Sequence, residues 1–308
     1  MKPLSSLAMG VLCVIAIAGC TRAESTSADS SRKTRSSGIV VGAFNFSESE
    51  LLAQMYGQAL GARGFEVQIL DDGAPRELLQ PALEQGVIDL VPEYLGTASS
   101  WLGDTALERL PETTHRRLQE TLAERGLQAL MFAPAENKNE VVVTSDTATQ
   151  YGLRTISDLA PVAEDLVFGG PPECRIRPLC LAGLESAYGL HFGSFQPLDA
   201  GGPLTVSALS GGEVDVALLF TTDAAITANG LVVLDDDREL QPAENIVPVV
   251  SKALVQRHGA ALVQALNDVS ERLTPQTLTE LNREIAGGTS PRDAAQAWLS
   301  ASGLGASN

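Results

Sequence analysis

Aromatic side chains are only 5% of the 308-residue chain, so those at chemically useful positions stand out. Two of them occupy equivalent places in a repeated segment. Residues 82–97 read ALEQGVIDLVPEYLGT, and residues 208–223 read ALSGGEVDVALLFTTD. Without a gap, Ala82 meets Ala208, Leu83 meets Leu209, Gly86 meets Gly212, Asp89 meets Asp215 and Tyr94 meets Phe220. Each copy reads as a helix end closed by a glycine, which tolerates the left-handed cap conformation. A short apolar strand follows (88–91; 214–220), then a loop that begins with an aromatic. In open α/β sheets the loops beyond the carboxyl ends of strands are where ligands sit. Two such units predict two similar lobes, each offering an aromatic to a shared cleft. A plainer reading also stands: two strand-entry turns resemble each other because G-x-x-D is a common combination.

Reaction chemistry finds little support. The chain has no nucleophile elbow G-x-S-x-G, no H-E-x-x-H and no P-loop. Its three histidines, His115, His191 and His258, are scattered, so neither a catalytic acid–base pair nor a metal site is indicated. No cofactor is expected. A net charge of −17 argues against nucleic acid, which demands basic patches. With 44% hydrophobic residues the chain can bury real cores.

The elements that must hold these aromatics are predicted as follows. Residues 38–44 form a buried strand and 45–48 a turn. A helix over 49–61 carries Leu51, Leu52, Met55, Tyr56 and Leu60 at helical spacing, which makes Tyr56 a core residue. Ser47 and Glu50 have the spacing of a capping box. Strands are expected at 65–70, 127–132, 141–144, 166–168, 231–234 and 245–250. Helices are expected at 76–85, 113–125, 155–159, 184–188, 253–269, 275–285 and 291–299. Residue 101 is placed in a loop. The alternation argues α/β with largely parallel sheets.

The first 20 residues read as a leader: Lys2, an apolar run over 7–18, then Ile17-Ala18-Gly19-Cys20. Small residues directly before Cys20 resemble a bacterial lipobox, which implies a lipidated Cys20 anchored to the membrane by more than one acyl chain. Residues 21–37 are Ser/Thr-rich, a flexible tether. With Cys13 in the leader, Cys174 and Cys180 remain; in an exported loop a disulfide between them is expected. Lipid-tethered, two-lobed and without catalytic groups, the chain reads as an extracytoplasmic binding protein that closes on a solute by hinge motion.

Several segments carry a specific resemblance: GIVVGAFNFSESELLAQMYGQAL, ALEQGVIDLVPEYLGT, GGPPECRIRP, ALLFTTD and LDDDRELQPAENIVPVV. Together they resemble the substrate-binding proteins of osmoprotectant ABC importers, over roughly residues 38–299. E-Y-x-G-T is the most specific element. The resemblance implies a type II periplasmic-binding-protein fold in which residues 38–138 and 246–304 form the first lobe and 139–245 the second. It also implies an ABC permease as partner, and glycine betaine, choline, carnitine or proline betaine as solute. Such proteins hold a quaternary ammonium among aromatics, whose faces attract a cation that cannot donate hydrogen bonds. They hold the carboxylate with a cation and hydroxyls.

Carried over by position, Tyr94 matches a cage tyrosine, Phe220 a cage aromatic without its hydroxyl, Thr97 a carboxylate-side threonine and Arg177 a carboxylate-binding arginine. Two departures matter. Phe44 stands where a carboxylate-binding lysine is common, and Asn137, Lys138, Asn139 and Glu140 stand where the crossing segment usually has an aromatic. Candidate ligand contacts are therefore Phe44, Asn45, Phe46, Tyr94, Thr97, Asn137, Arg177, Phe220, Thr221 and Asp223. Several have a structural alternative: Tyr94 sealing a lobe edge, Phe44 or Phe46 in the core, Arg177 organising the disulfide loop or pairing with Glu173, Asp223 capping the next helix. The competing functional reading is a lipid-anchored sensor or structural lipoprotein of the same fold, with a less zwitterionic solute.

Overall fold

The computed structural model describes residues 38–70, 72–106 and 108–306. The leader, Cys20 and the tether lie outside them.

β1 (Ile39–Val41) is short, apolar and buried, and α1 (Ser47–Ala62) follows it. The helix buries Leu51, Leu52, Met55, Tyr56 and Leu60, the stripe expected from their spacing. Tyr56 is fully buried, and its hydroxyl lies 2.9 Å from the Ser270 hydroxyl. The expected capping box does not form. Phe46, with extended backbone, is the N-cap and no side chain caps this end. Ser47 is already helical, while the Ser49 hydroxyl accepts the Phe44 N–H at 2.8 Å and fixes the turn instead.

The chain continues through β2 (Val67–Ile69), α2 (Arg76–Glu84) and β3 (Leu90–Tyr94). The expected loop after Tyr94 is a helix, α3 (Leu95–Trp101), entered without a break. Then come α4 (Pro111–Glu124) and β4 (Leu127–Ala129). β5 (Asn139–Val143) opens a second sheet. α5 (Ser145–Tyr151), β6 (Val167–Gly170), a 3₁₀ turn (Pro172–Ile176), α6 (Leu181–Tyr188) and β7 (Ser194–Pro197) follow. α7 (Pro203–Ser210), β8 (Val216–Phe220), α8 (Ala224–Ala228) and β9 (Val232–Val233) complete it. β10 (Ile246–Ser251) returns to the first sheet, and α9 (Lys252–Arg272), α10 (Pro275–Ala286) and α11 (Pro291–Ala301) close the chain. α5, β7 and α8, short and polar or mixed in composition, were not among the expected elements.

The two sheets have matching orders, β2-β1-β3-β10-β4 and β7-β6-β8-β5-β9. In each, three strands are parallel (β2-β1-β3; β7-β6-β8). The strand arriving from the other lobe, β10 or β5, adds antiparallel pairings on both of its sides. Pro92 and Pro248 face each other across β3 and β10. Two opposed prolines form a pair that exchanges no hydrogen bonds. Their nitrogens point outward, beyond the last pairings of β3 with β1 and of β10 with β4. One core lies around the first sheet and includes Leu262, Leu278 and Leu299 of the C-terminal helices. The second sheet buries both faces in separate clusters: Val141, Val143, Val216 and Leu218 on one side, Val142, Ala217 and Leu219 on the other.

The repeated segment is a repeated structure. Gly86 and Gly212 both have left-handed backbone, with φ of 68° and 73°. The N–H groups of Val87 and Ile88 donate to the Ala82 carbonyl, as those of Glu213 and Val214 do to Ala208. Asp89 then accepts the Val40 N–H at 3.0 Å, and Asp215 accepts the Val167 N–H at 2.8 Å. Each aspartate ties its strand entry to the neighbouring parallel strand.

Candidate functional site

Tyr94 and Phe220 end the two equivalent strands and both line one cleft between the sheets. Of the 2 Trp, 4 Tyr and 8 Phe in the chain, Trp101, Tyr94, Phe44, Phe46 and Phe220 line it. The rings gather around Phe46, whose centroid is 5.7 Å from Phe220, 6.1 Å from Tyr94 and 6.3 Å from Phe44. So dense a use of scarce aromatics favours a ligand with a soft cation or an apolar body.

The 3₁₀ turn is fastened by the Cys174–Cys180 disulfide and presents Arg177 to the same cleft. One guanidinium nitrogen of Arg177 donates to Glu77 at 2.9 Å, and the group lies 5.1 Å from the Trp101 centroid. Its partner is thus Glu77 of α2, not Glu173, because the turn aims the side chain across at the first lobe. The Arg177 Nε is buried and has no hydrogen-bond partner. Arg177 as a whole lines the aromatic cleft, which places a guanidinium charge where a carboxylate could meet it.

The floor carries a network that the sequence did not announce. Arg76, 5% exposed, forms a buried ion pair with Glu93, and its guanidinium stacks 4.4 Å from the Phe44 centroid. Thr97 donates its hydroxyl to Glu244 at 2.6 Å and its N–H to the same carboxylate at 3.0 Å. A hydroxyl has one proton, so while Glu244 is ionised Thr97 has none to offer a ligand. Burial pushes Glu244 up to about 7; the bonds from Thr97 and the charge of Arg76 oppose that shift, and Glu93 adds to it. Gly96 is needed for this packing. A Cβ there would lie 2.2 Å from the Pro242 side chain, and its N–H donates to the Ala243 carbonyl at 3.0 Å. The fixed letters of E-Y-x-G-T are thus all accounted for, with Glu93 on Arg76, Tyr94 at the cleft, Gly96 against the crossing segment and Thr97 on Glu244.

Beneath Tyr94 lies a third buried carboxylate, Glu48, 6% exposed in the first turn of α1. It accepts from the Tyr94 hydroxyl at 2.7 Å and Asn137 Nδ2 at 2.7 Å, and from the Thr222 hydroxyl at 2.6 Å and Asn282 Nδ2 at 2.5 Å. Burial, then the charges and bond of Glu48, hold the Tyr94 phenol well above its usual range, so it remains a donor.

Of the candidates, Phe44, Asn45, Phe46, Tyr94, Thr97, Asn137, Arg177 and Phe220 line the cleft. Thr221 and Asp223 do not. Thr221 donates to Asn137 at 3.2 Å and receives the Lys138 N–H at 3.0 Å. Asp223 caps α8 by accepting the Ala225 N–H at 2.9 Å, and with Asp199 and Asn282 it borders an adjoining hollow that shares Asn45, Phe46, Asn137 and Phe220 with the cleft. Arg76, Glu48 and Glu244 were missed. A signal existed for two of them: Arg76 shares a helical stripe with Leu79, Gln80 and Leu83, and Glu48 with Leu51, Leu52 and Met55. A charge in register with a buried stripe marks a buried ion.

Comparison with known proteins settles the family. The profile of the substrate-binding domain of ABC-type glycine betaine transport systems matches residues 37–301. The chain belongs to this family. It is 29% identical over 256 residues to the glycine-betaine-binding protein of Pseudomonas aeruginosa, covering 80% of this chain and 81% of that one. It is 28% identical over 209 residues to an ergothioneine transport permease/ergothioneine binding protein of Helicobacter pylori, covering 67% of this chain and 37% of that longer one. A crystal structure of a glycine betaine/carnitine/choline ABC transporter superposes with a TM-score of 0.67 at 25% identity, over 86% of this chain and 99% of that one. The fold is thus the type II fold of periplasmic binding proteins. Proteins of this family work outside the cytoplasm with an ABC permease and bind their solute without converting it. The sequence had likewise offered no catalytic constellation.

Proposed function

We propose that this chain captures a small trimethylammonium solute of the glycine betaine, carnitine or choline type between its lobes and delivers it to its permease. The observation that carries the reading is one cleft lined both by the Phe46, Tyr94 and Phe220 rings and by the guanidinium-bearing Arg177. A permanent cation cannot donate hydrogen bonds, so ring faces are its natural partners. A carboxylate is suited to the Arg177 guanidinium. Thr97 plays a supporting part in this scheme, holding Glu244, and Thr221 and Asp223 serve the crossing segment and α8. The lipid anchor at Cys20 belongs to the same proposal: it would keep the receptor at the membrane that holds its permease.

One feature favours a larger solute as a second reading. Where a lysine is common the cleft has Phe44 backed by Arg76, which adds ring surface without an unpaired charge. Ergothioneine, a trimethylammonium betaine bearing a thioimidazole, matches that wall. Trp101 borders the cleft and supplies the assay. Its fluorescence, titrated with glycine betaine, carnitine, choline and ergothioneine, is expected to change saturably with at least one of them. Silence toward all four contradicts the proposal, and a response to ergothioneine alone selects the second reading.

A further inference from the structure

We propose that Glu48 makes the posture of the Tyr94 ring and the closure of the two lobes a single event. Its ligand-affinity part rests on the function proposed above; its conformational part does not.

The four donors to Glu48 come from separately anchored segments. Tyr94 ends β3 and Asn282 lies on α10, both packed in the first lobe. Asn137 precedes β5 in the crossing segment, and Thr222 follows β8 in the second lobe. Asn137 is itself held from the second lobe, its Oδ1 accepting the Thr221 hydroxyl at 3.2 Å and the Thr222 N–H at 3.4 Å. Among the described residues no arginine, lysine or histidine forms an ion pair with Glu48. Its charge is balanced only by neutral donors and by the amino-terminal end of α1.

A buried anion without a counter-ion is tolerated only while its donors are all in place. Parting the lobes removes Thr222 and lets water reach the carboxylate, so the open form needs no particular donor. The closed form needs all four, the Tyr94 hydroxyl included, and that bond fixes the direction of the ring. The lobes therefore shut on a Tyr94 already turned to its place in the cleft, and a misplaced ring opposes shutting. Glu48 touches no ligand in this scheme; it is a positioning residue.

Two measurements on the full chain test this, with circular dichroism confirming that each variant is folded. In the first, small-angle X-ray scattering of the ligand-free protein compares wild type with Thr222→Val, a near-isosteric change that removes one donor, and with Glu48→Gln. Both variants are expected to show a larger radius of gyration than wild type. Wild-type scattering from both overturns the proposal. The second measures glycine betaine affinity for Tyr94→Phe, Thr222→Val and the double variant. Each single change is expected to weaken binding about 5- to 10-fold, and the pair by clearly less than the product, because both act through one carboxylate. Losses that multiply overturn the coupling, which a merely structural role for Glu48 would allow. If wild type does not bind glycine betaine, the ligand assignment fails and the scattering comparison alone decides the conformational proposal.

Discussion

At the residue scale the proposed solute would meet its cation and anion contacts on different side chains, and Arg177 is where the two can be told apart. One of its nitrogens is given to Glu77, and the residue lines the cleft. A hydrogen bond from a charged donor is worth about 1.5–3 kcal/mol. Arg177→Met is thus expected to weaken glycine betaine and carnitine by roughly 10- to 100-fold in a fluorescence titration. Choline, which lacks a carboxylate, should change by less than about 3-fold. Equal losses for all three would show that Arg177 only shapes the wall. Tyr94 and Phe220 were legible as cleft residues because the repeat places them at corresponding strand ends. Thr97 was read only by resemblance, and what its hydroxyl does depends on Glu244, 147 positions away, which no local pattern reveals. Thr221 and Asp223 do not line the aromatic cleft, because residues next to a cleft residue need not face it. At the turn after β8 the backbone aims them at the crossing segment and the start of α8.

At the scale of elements, the junction of β3, α3 and the crossing segment holds Glu244 buried between Thr97 and Arg76. Burial raises its pKa from the ordinary carboxylate range to about 7. Between those values the folded protein keeps a proton that the unfolded chain has released. Stability from this group is full below the unfolded value and falls as pH rises through about 7. Glu244→Gln mimics the protonated acid and cannot ionise. Thermal melts should therefore show wild type losing stability relative to Glu244→Gln between pH 5 and 8; a difference constant across that range contradicts the assignment. The 3₁₀ turn that carries Arg177 depends on its disulfide. For so short a loop, replacing Cys174 and Cys180 by serine should cost about 2 kcal/mol by the chain-entropy account. Betaine affinity should fall with it, as Arg177 loses its fixed aim; a variant that binds as wild type does would show the turn to be rigid without the bridge. Elements with long apolar stripes, such as α1 and α9, could be read from spacing. α3 could not: LGTASSW has no stripe, and its start is held by tertiary contacts, the Leu95 and Gly96 N–H groups donating to the Asn245 and Ala243 carbonyls. β7 is a partly exposed edge strand of four residues without a strong apolar signal.

At the scale of the whole molecule, two sheets of the same strand order, each entered through the same glycine-and-aspartate turn, bring two equivalent strand ends to one cleft. The repeat in the sequence predicted this pairing, and the resemblance supplied the family. Neither could supply Glu48, because its donors come from residues 94, 137, 222 and 282, which only the assembled lobes bring together. Everything proposed for the cleft depends on these lobes enclosing a trimethylammonium group against Tyr94. Isothermal titration calorimetry with glycine betaine, on wild type and on Tyr94→Ala, puts that to the test. A saturable one-to-one isotherm is expected for wild type. Losing a desolvated cation–π contact of about 2 kcal/mol, and the donor on Glu48 with it, should weaken Tyr94→Ala by at least roughly 30-fold. No heat from wild type, or equal affinity in the two proteins, would rule this enclosure out.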